Sequence, residues 1–205
     1  MSETVRYGVI GTGLMGIEHI HNLQALPGAE IVAVADPDQN SLNHAKSIVN
    51  PQTGLFQNYR DLLERGECDA LVIATPNMTH TEILLEVLET GLPALVEKPL
   101  CTTVSDCKKV IEKAGNQSKI WVGLEYRYMP AIAELIRQVT EGKAGPISMV
   151  AIREHRFPFL KKVGDWNRFN DNTGGTLVEK CCHFFDLMRL ISGSNPIRVF
   201  ASGDQ

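Results

Sequence analysis

The chain has 205 residues, 43% hydrophobic and 21% charged, with a formal net charge of −4. That balance is ordinary for a globular protein and argues against a nucleic-acid surface or a polybasic membrane patch. No stretch approaches the ~18 apolar residues of a membrane span, and the N-terminal run lacks the flanks of a signal peptide. The five cysteines lack the spaced CxxC pairs of a zinc site, so a soluble protein of the reducing cytoplasm is expected, with no nucleic-acid or membrane partner.

From residue 4 to 123, short apolar runs alternate with helix-period segments. TVRYGVI (4–10) reads as a strand, LMGIEHIHNLQAL (14–26) as a helix, EIVAVAD (30–36) as a strand and DQNSLNHAKSIV (38–49) as a helix. A Gly/Pro-marked loop follows, then YRDLLER (59–65) as a short helix, DALVIAT (69–75) as a strand and HTEILLEVLETG (80–91) as an amphipathic helix ended by Gly91. LPALVE (92–97) is a strand, SDCKKVIEKAG (105–115) a helix and KIWVGLE (119–125) a strand. This grammar implies βαβ units and a doubly wound parallel sheet with helices on both faces, the Rossmann arrangement, over residues 1–123.

Beyond Gly123 the pattern changes. PAIAELIRQVTEG (130–142) reads as a helix, ISMVAIREHRF (147–157) as a longer, partly alternating strand and 158–175 as a polar loop. TLVEKCCHFFDLMRLISG (176–193) reads as one strong helix and PIRVFASG (196–203) as a strand. Residues 124–205 thus form an incomplete α+β domain, too few elements to stand alone, and truncation is the expectation.

GTGLMG (11–16) fits GxGxxG after a strand and at the opening of a helix. Gly11 permits the tight turn, Gly13 lets a pyrophosphate approach the backbone, and Gly16 lets helix and strand pack closely. With Thr12, Leu14 and Met15, they present a helix N-terminus to phosphate. Asp36, 20 residues past Gly16 at a strand end, is placed to accept bonds from ribose hydroxyls and to repel a 2′-phosphate, so NAD is preferred over NADP. The alternatives are that Asp36 caps the next helix and that the loop takes S-adenosylmethionine. Two further loops reach the same sheet edge. ATPNMTH carries Thr75, Pro76, Asn77 and His80, and is equally an ordinary Pro-Asn turn with a Thr cap. EKPL places Glu97 and Lys98 at the rim, outside the core, where ligands of parallel sheets collect; a solvent-exposed lysine is the plainer account of Lys98.

Glu179, His183 and Asp186 at i, i+4 and i+7 share one face of the expected helix. A core histidine paired to a carboxylate and an exposed stripe are the simpler accounts of that row. No third ligand accompanies the pair, so no metal site is expected. Cys181 and Cys182 read as small buried thiols. Arg127 in EYRYMP and Trp166 in DWNR are candidates for a substrate wall.

GTGLMG, ATPNMTH and EKP in this order, with GGTLVEKCCHFFDL downstream, resemble the Gfo/Idh/MocA family of NAD(P)-dependent oxidoreductases over nearly the whole chain. The resemblance implies a second domain built on a large, mostly antiparallel open sheet, most of whose strands are absent here, and a homo-oligomer for the complete protein. It implies that Lys98 reaches the reacting carbon–oxygen group, that Pro99 sets the turn, often through a cis bond, and that His183 carries the proton. Many members have Asp where this chain has Glu179; a Glu there can still orient or charge-balance the imidazole with a longer reach, and Asp186 reads as structural. The implied reaction is hydride transfer between NAD and a secondary alcohol of a sugar, cyclitol or related polyol. The alternatives are a non-catalytic NAD-binding regulator and an inactive truncated fragment.

Overall fold

A computed structural model describes residues 4–116, 119–155, 157–158 and 160–202. The chain divides into two compact units, one of residues 1–123 with 160–179, the other of 124–159 with 180–205. Segment 160–179, expected within the second domain, therefore belongs to the first unit.

The first unit is a six-stranded, wholly parallel sheet. Its strands are β1 (Val5–Ile10), β2 (Ala29–Ala35), β3 (Gly54–Phe56), β4 (Ala70–Ile73), β5 (Ala94–Glu97) and β6 (Ile120–Gly123), in the order β3-β2-β1-β4-β5-β6. The order reverses between β1 and β4, the switch point at which such sheets bind ligands. β3 fell within the expected loop. Three residues carry too little pattern to be read, and only pairing of Ala33–Ala35 with Gly54–Phe56 makes them a strand.

The crossover helices are α1 (Leu14–Ala25), α2 (Gln39–Ile48), α3 (Tyr59–Arg65), α4 (His80–Thr90) and α5 (Val104–Ala114). Two apolar cores cover the two sheet faces. Val9, Val34 and Val72 meet Ile20 and Leu23 of α1 and Leu42 and Ala45 of α2. Ile10, Ala35, Ile73 and Val96 meet Leu62 of α3, Ile83, Leu84 and Val87 of α4 and Val110 of α5. Adjacent residues such as Val9 and Ile10 point to opposite faces, so each strand must be apolar on both.

Local chemistry sets the helix ends. Asp38 caps α2 by accepting from the Ser41 N–H, Asn58 caps α3 through Arg60, and Thr103 caps α5 through Asp106. Gly91, at φ 71°, closes α4 in the left-handed conformation. Segment 160–179 adds a 3₁₀ stretch (Val163–Arg168) and two one-turn helices, α7 (Asn170–Thr173) and α8 (Thr176–Glu179).

The second unit contains a 3₁₀ turn (Glu125–Tyr128), α6 (Pro130–Thr140) and α9 (Cys182–Ser192), with α6 and the turn against α9. Two expectations are corrected. The helix expected over 176–193 is broken: α8 ends at Glu179 and α9 begins at Cys182. The strands expected at 147–157 and 196–203 join no sheet among their described residues; residues 156 and 203 lie outside those described. Alternation marks a sheet face only when a neighbour pairs the backbone, and among the described residues no ladder partner meets these segments. Among the described residues, no helix is long and apolar enough to cross a membrane.

Candidate active site

The first unit brings three loops together at the carboxyl edge of its sheet. Gly11, at φ 91°, has no room for a side chain, since an added Cβ would lie 2.7 Å from the Ala74 carbonyl at the end of β4. A Cβ on Gly16 would lie 1.9 Å from the Gly11 carbonyl oxygen. The turn and the start of α1 are thus pressed against the β4 loop. Gly13 differs: nothing lies within 4 Å of its would-be Cβ. α1 has no side-chain cap and no acidic residue in its first turn. Among the described residues, nothing accepts from the N–H groups of Leu14, Met15 and Gly16, the first helical bond being Ile17 N–H to Gly13. Open space before an uncapped helix suits a phosphate group.

Asp36 turns back into this loop. One carboxylate oxygen accepts from the Thr12 N–H at 2.7 Å and its hydroxyl at 3.2 Å, and the other accepts from the Asp38 N–H at 2.8 Å. Asp36 therefore orders the glycine turn while Asp38 caps α2. Both of Thr12's donors are spent on that carboxylate, which keeps lone pairs for further donors.

The β4 loop is a 3₁₀ turn (Asn77–Thr79). The Thr79 hydroxyl bonds the Thr75 hydroxyl and the Pro76 carbonyl, both at 2.8 Å, and caps nothing. Asn77 is buried, and among the described residues its side-chain N–H₂ has no acceptor. Such a group is costly unless a ligand pairs it. Together with the space at Gly13, this orphaned donor makes the loops fit a dinucleotide. His80, expected at the cofactor, lies behind this loop. It is 0% exposed, with Nδ1 2.8 Å from the Pro99 carbonyl oxygen and Nε2 3.1 Å from that of Thr75. The ring lies between two loops, and its single N–H in the neutral form can donate to one of these two carbonyls. Burial pushes its pKa below 6.5, against the pull of the two carbonyls.

Glu97, expected at an open rim, is buried at 9% exposure and accepts from His19 of α1 at 2.8 Å. Burial alone would raise its pKa; the bond and charge of His19, with Lys98, outweigh it and hold the carboxyl below its ordinary value. The Lys98–Pro99 peptide is cis. The Lys98 ammonium donates to the Glu179 carbonyl at 3.0 Å, so α8 supplies a backbone oxygen to the end of β5. Lys162 is a neighbour of this cluster. Burial and the Lys98 charge press its pKa down, against Glu179 and Glu97.

His183, on α9, belongs to the second unit, whereas Glu179 belongs to the first. The break at 180–181 removes the shared helical face expected for that pair. His183 lies under Tyr126, ring centroids 4.2 Å apart and planes at 10°, with Nε2 3.5 Å from Glu125. Arg127, expected in a substrate wall, forks onto Asp186, with Nε 2.5 Å from Oδ2 and Nη2 on Oδ1. The fork places the guanidinium in an ion pair with Asp186 through Nε and Nη2. Trp166 lies in the first unit and Arg127 in the second, each in a 3₁₀ segment. Among the described residues no group of three or more His, Cys, Asp or Glu could hold a metal ion.

His19, Lys162, Tyr126 and Lys180 were not read from the sequence. His19 carried a faint signal, as a histidine on the helix that opens at the glycine turn; the others carried none.

Comparison with known proteins gives these features a setting. Residues 5–126 match the oxidoreductase-family model for an NAD-binding Rossmann fold, and 136–205 match the same family's C-terminal alpha/beta domain. The chain is 33% identical over 199 residues to inositol 2-dehydrogenase 1 of Saccharopolyspora erythraea, covering 96% of this chain and 57% of that protein. It is 30% identical over 193 residues to the rhizopine catabolism protein MocA of Rhizobium meliloti, covering 93% and 58%. Its fold resembles scyllo-inositol dehydrogenase from Lactobacillus casei, a structure with NAD(H) and scyllo-inositol bound, at a TM-score of 0.76 and 20% identity, covering 93% and 57%. The chain therefore spans just under three-fifths of the length of these relatives.

Proposed function

Because the chain belongs to the Gfo/Idh/MocA family of NAD-binding oxidoreductases, we propose that it transfers hydride between NAD and a secondary alcohol of a cyclitol, sugar or related polyol. The observation that carries this reading is the end of β5. There the Lys98 ammonium is anchored 3.0 Å from the Glu179 carbonyl, beside the buried Glu97 carboxylate, on the sheet edge that also bears the glycine turn. The relatives named inositol dehydrogenases support the substrate class.

In this reading the first turn of α1, with Gly13, receives the pyrophosphate, and Asn77 donates to the dinucleotide. Asp36 accepts from the ribose hydroxyls and disfavours a 2′-phosphate, so NAD is preferred over NADP. Bound NAD supplies the hydride acceptor. Lys98 donates to the substrate oxygen and stabilises developing alkoxide charge. His183 takes the hydroxyl proton as general base. The complete protein acts as a homo-oligomer in the cytoplasm.

NADH formation over a panel of cyclitols and sugars tests the proposal, with Lys98→Ala and His183→Asn beside the parent. Each variant should lose at least ~100-fold in turnover while NAD affinity stays within about twofold, a factor worth only ~0.4 kcal/mol. Undiminished turnover in either variant removes that residue from the reaction. NAD binding without turnover on any polyol favours a non-catalytic nucleotide-binding protein.

A further inference from the structure

The second unit surrounds His183 with a polar network that the proposed reaction does not use. Lys180 is 6% exposed, at the break between α8 and α9. Its ammonium donates to the Tyr126 hydroxyl and lies 3.1 Å from a Glu154 carboxylate oxygen. The same hydroxyl donates to that Glu154 oxygen at 2.8 Å. The ammonium is also 4.5 Å from the centre of the Tyr126 ring and 5.7 Å from that of Phe184. Tyr126 in turn lies flat on the His183 imidazole.

A buried ammonium is an expensive way to fill space. An apolar side chain of similar volume is generally as stable or more so, because ion pairing seldom exceeds the desolvation cost. What the ammonium supplies is direction. A phenol packed only by apolar contacts can slide, whereas one pinned at its tip by a cation and a carboxylate has a defined ring plane. The ring stacked on it inherits that plane, and proton transfer demands such tolerances, about 10–20° and ~0.5 Å.

We propose that Lys180 is a positioning residue for His183: with Glu154 it anchors the Tyr126 hydroxyl, and the anchored ring fixes the imidazole. The proposal rests on His183 as the proton carrier.

Labelled histidine in the 205-residue chain provides a readout independent of activity. A tyrosine ring stacked on an imidazole displaces that ring's resonances upfield, and His183→Asn identifies the signals by their loss. Lys180→Met should abolish the displacement with the helix content unchanged, and Lys180→Arg should restore it. Tyr126→Phe keeps the ring but removes both anchors, so it should behave like Lys180→Met, and it decides the matter should Lys180→Met fail to fold. On a turned-over polyol, Lys180→Met should lower kcat by about 10- to 100-fold with little change in KM. Wild-type His183 signals in Tyr126→Phe or in folded Lys180→Met overturn the proposal. Full turnover in His183→Asn instead removes the proton-carrier role, while the resonances still report whether Lys180 orients the ring.

Discussion

His19 Nε2 meets the Glu97 carboxylate at 2.8 Å and joins α1 to the end of β5. The helix that opens at the glycine turn is thereby locked to the strand that delivers Lys98. His19→Leu should leave a buried carboxylate without its main partner and cost about 1–3 kcal/mol at pH 7. The Glu97 pKa is lowered in the folded protein, so its stabilisation is present above the ordinary value of 4.5 and is lost as pH falls through the folded value. Urea unfolding at pH 7 and pH 4 should therefore show the His19→Leu deficit shrinking with acidification.

The glycines of the turn should separate by what surrounds them. Gly13 faces open space at φ −69°, so Gly13→Val should unfold within about 0.5 kcal/mol of the parent yet bind NAD poorly. Gly16→Ala drives a methyl to 1.9 Å from a carbonyl oxygen and should cost roughly 1–3 kcal/mol or more. Thermal melts with and without NAD distinguish the two.

Asp36→Asn should keep part of the Thr12 contact while removing the charge proposed to meet the ribose. The ratio of NAD to NADP affinity, measured by titration calorimetry, should move toward NADP by about 10- to 100-fold, the worth of ~1.5–3 kcal/mol of charged hydrogen bonding.

His80 is buried with its pKa below 6.5, so the unfolded chain binds the proton more readily. Stability should fall as pH drops below about 6.5 and stop falling once the folded ring protonates. His80→Gln should lose that part of the pH dependence, read as the change in unfolding midpoint between pH 5.5 and 7.5.

Much of the first unit was legible because its information is local. A strand buried on both faces must be apolar throughout, as LVI at 71–73 is, and GTGLMG announces a turn that only glycine can make. Asp36 and Lys98 stood out in the sequence because each follows a strand at the edge where such sheets bind ligands. What the sequence did not record shares one cause, which is that a side chain's partner is set by distant backbone. The pairing of Arg127 with Asp186, 59 residues away, had no local signal. The burial of His80 between the Pro99 and Thr75 carbonyls had none either. Helical periodicity put Glu179 and His183 on one face, but the chain breaks between them.

Composition, apolar period and glycine spacing alone determined a doubly wound nucleotide-binding sheet with a lysine at one strand end, because backbone sterics and burial act within a few residues. Tertiary structure decided which charges are spent on structure and which remain for chemistry. Pairing Glu97 with His19, Arg127 with Asp186 and Lys180 with Glu154 requires segments 26 to 78 residues apart in sequence to meet within 4 Å, and no local pattern records that meeting.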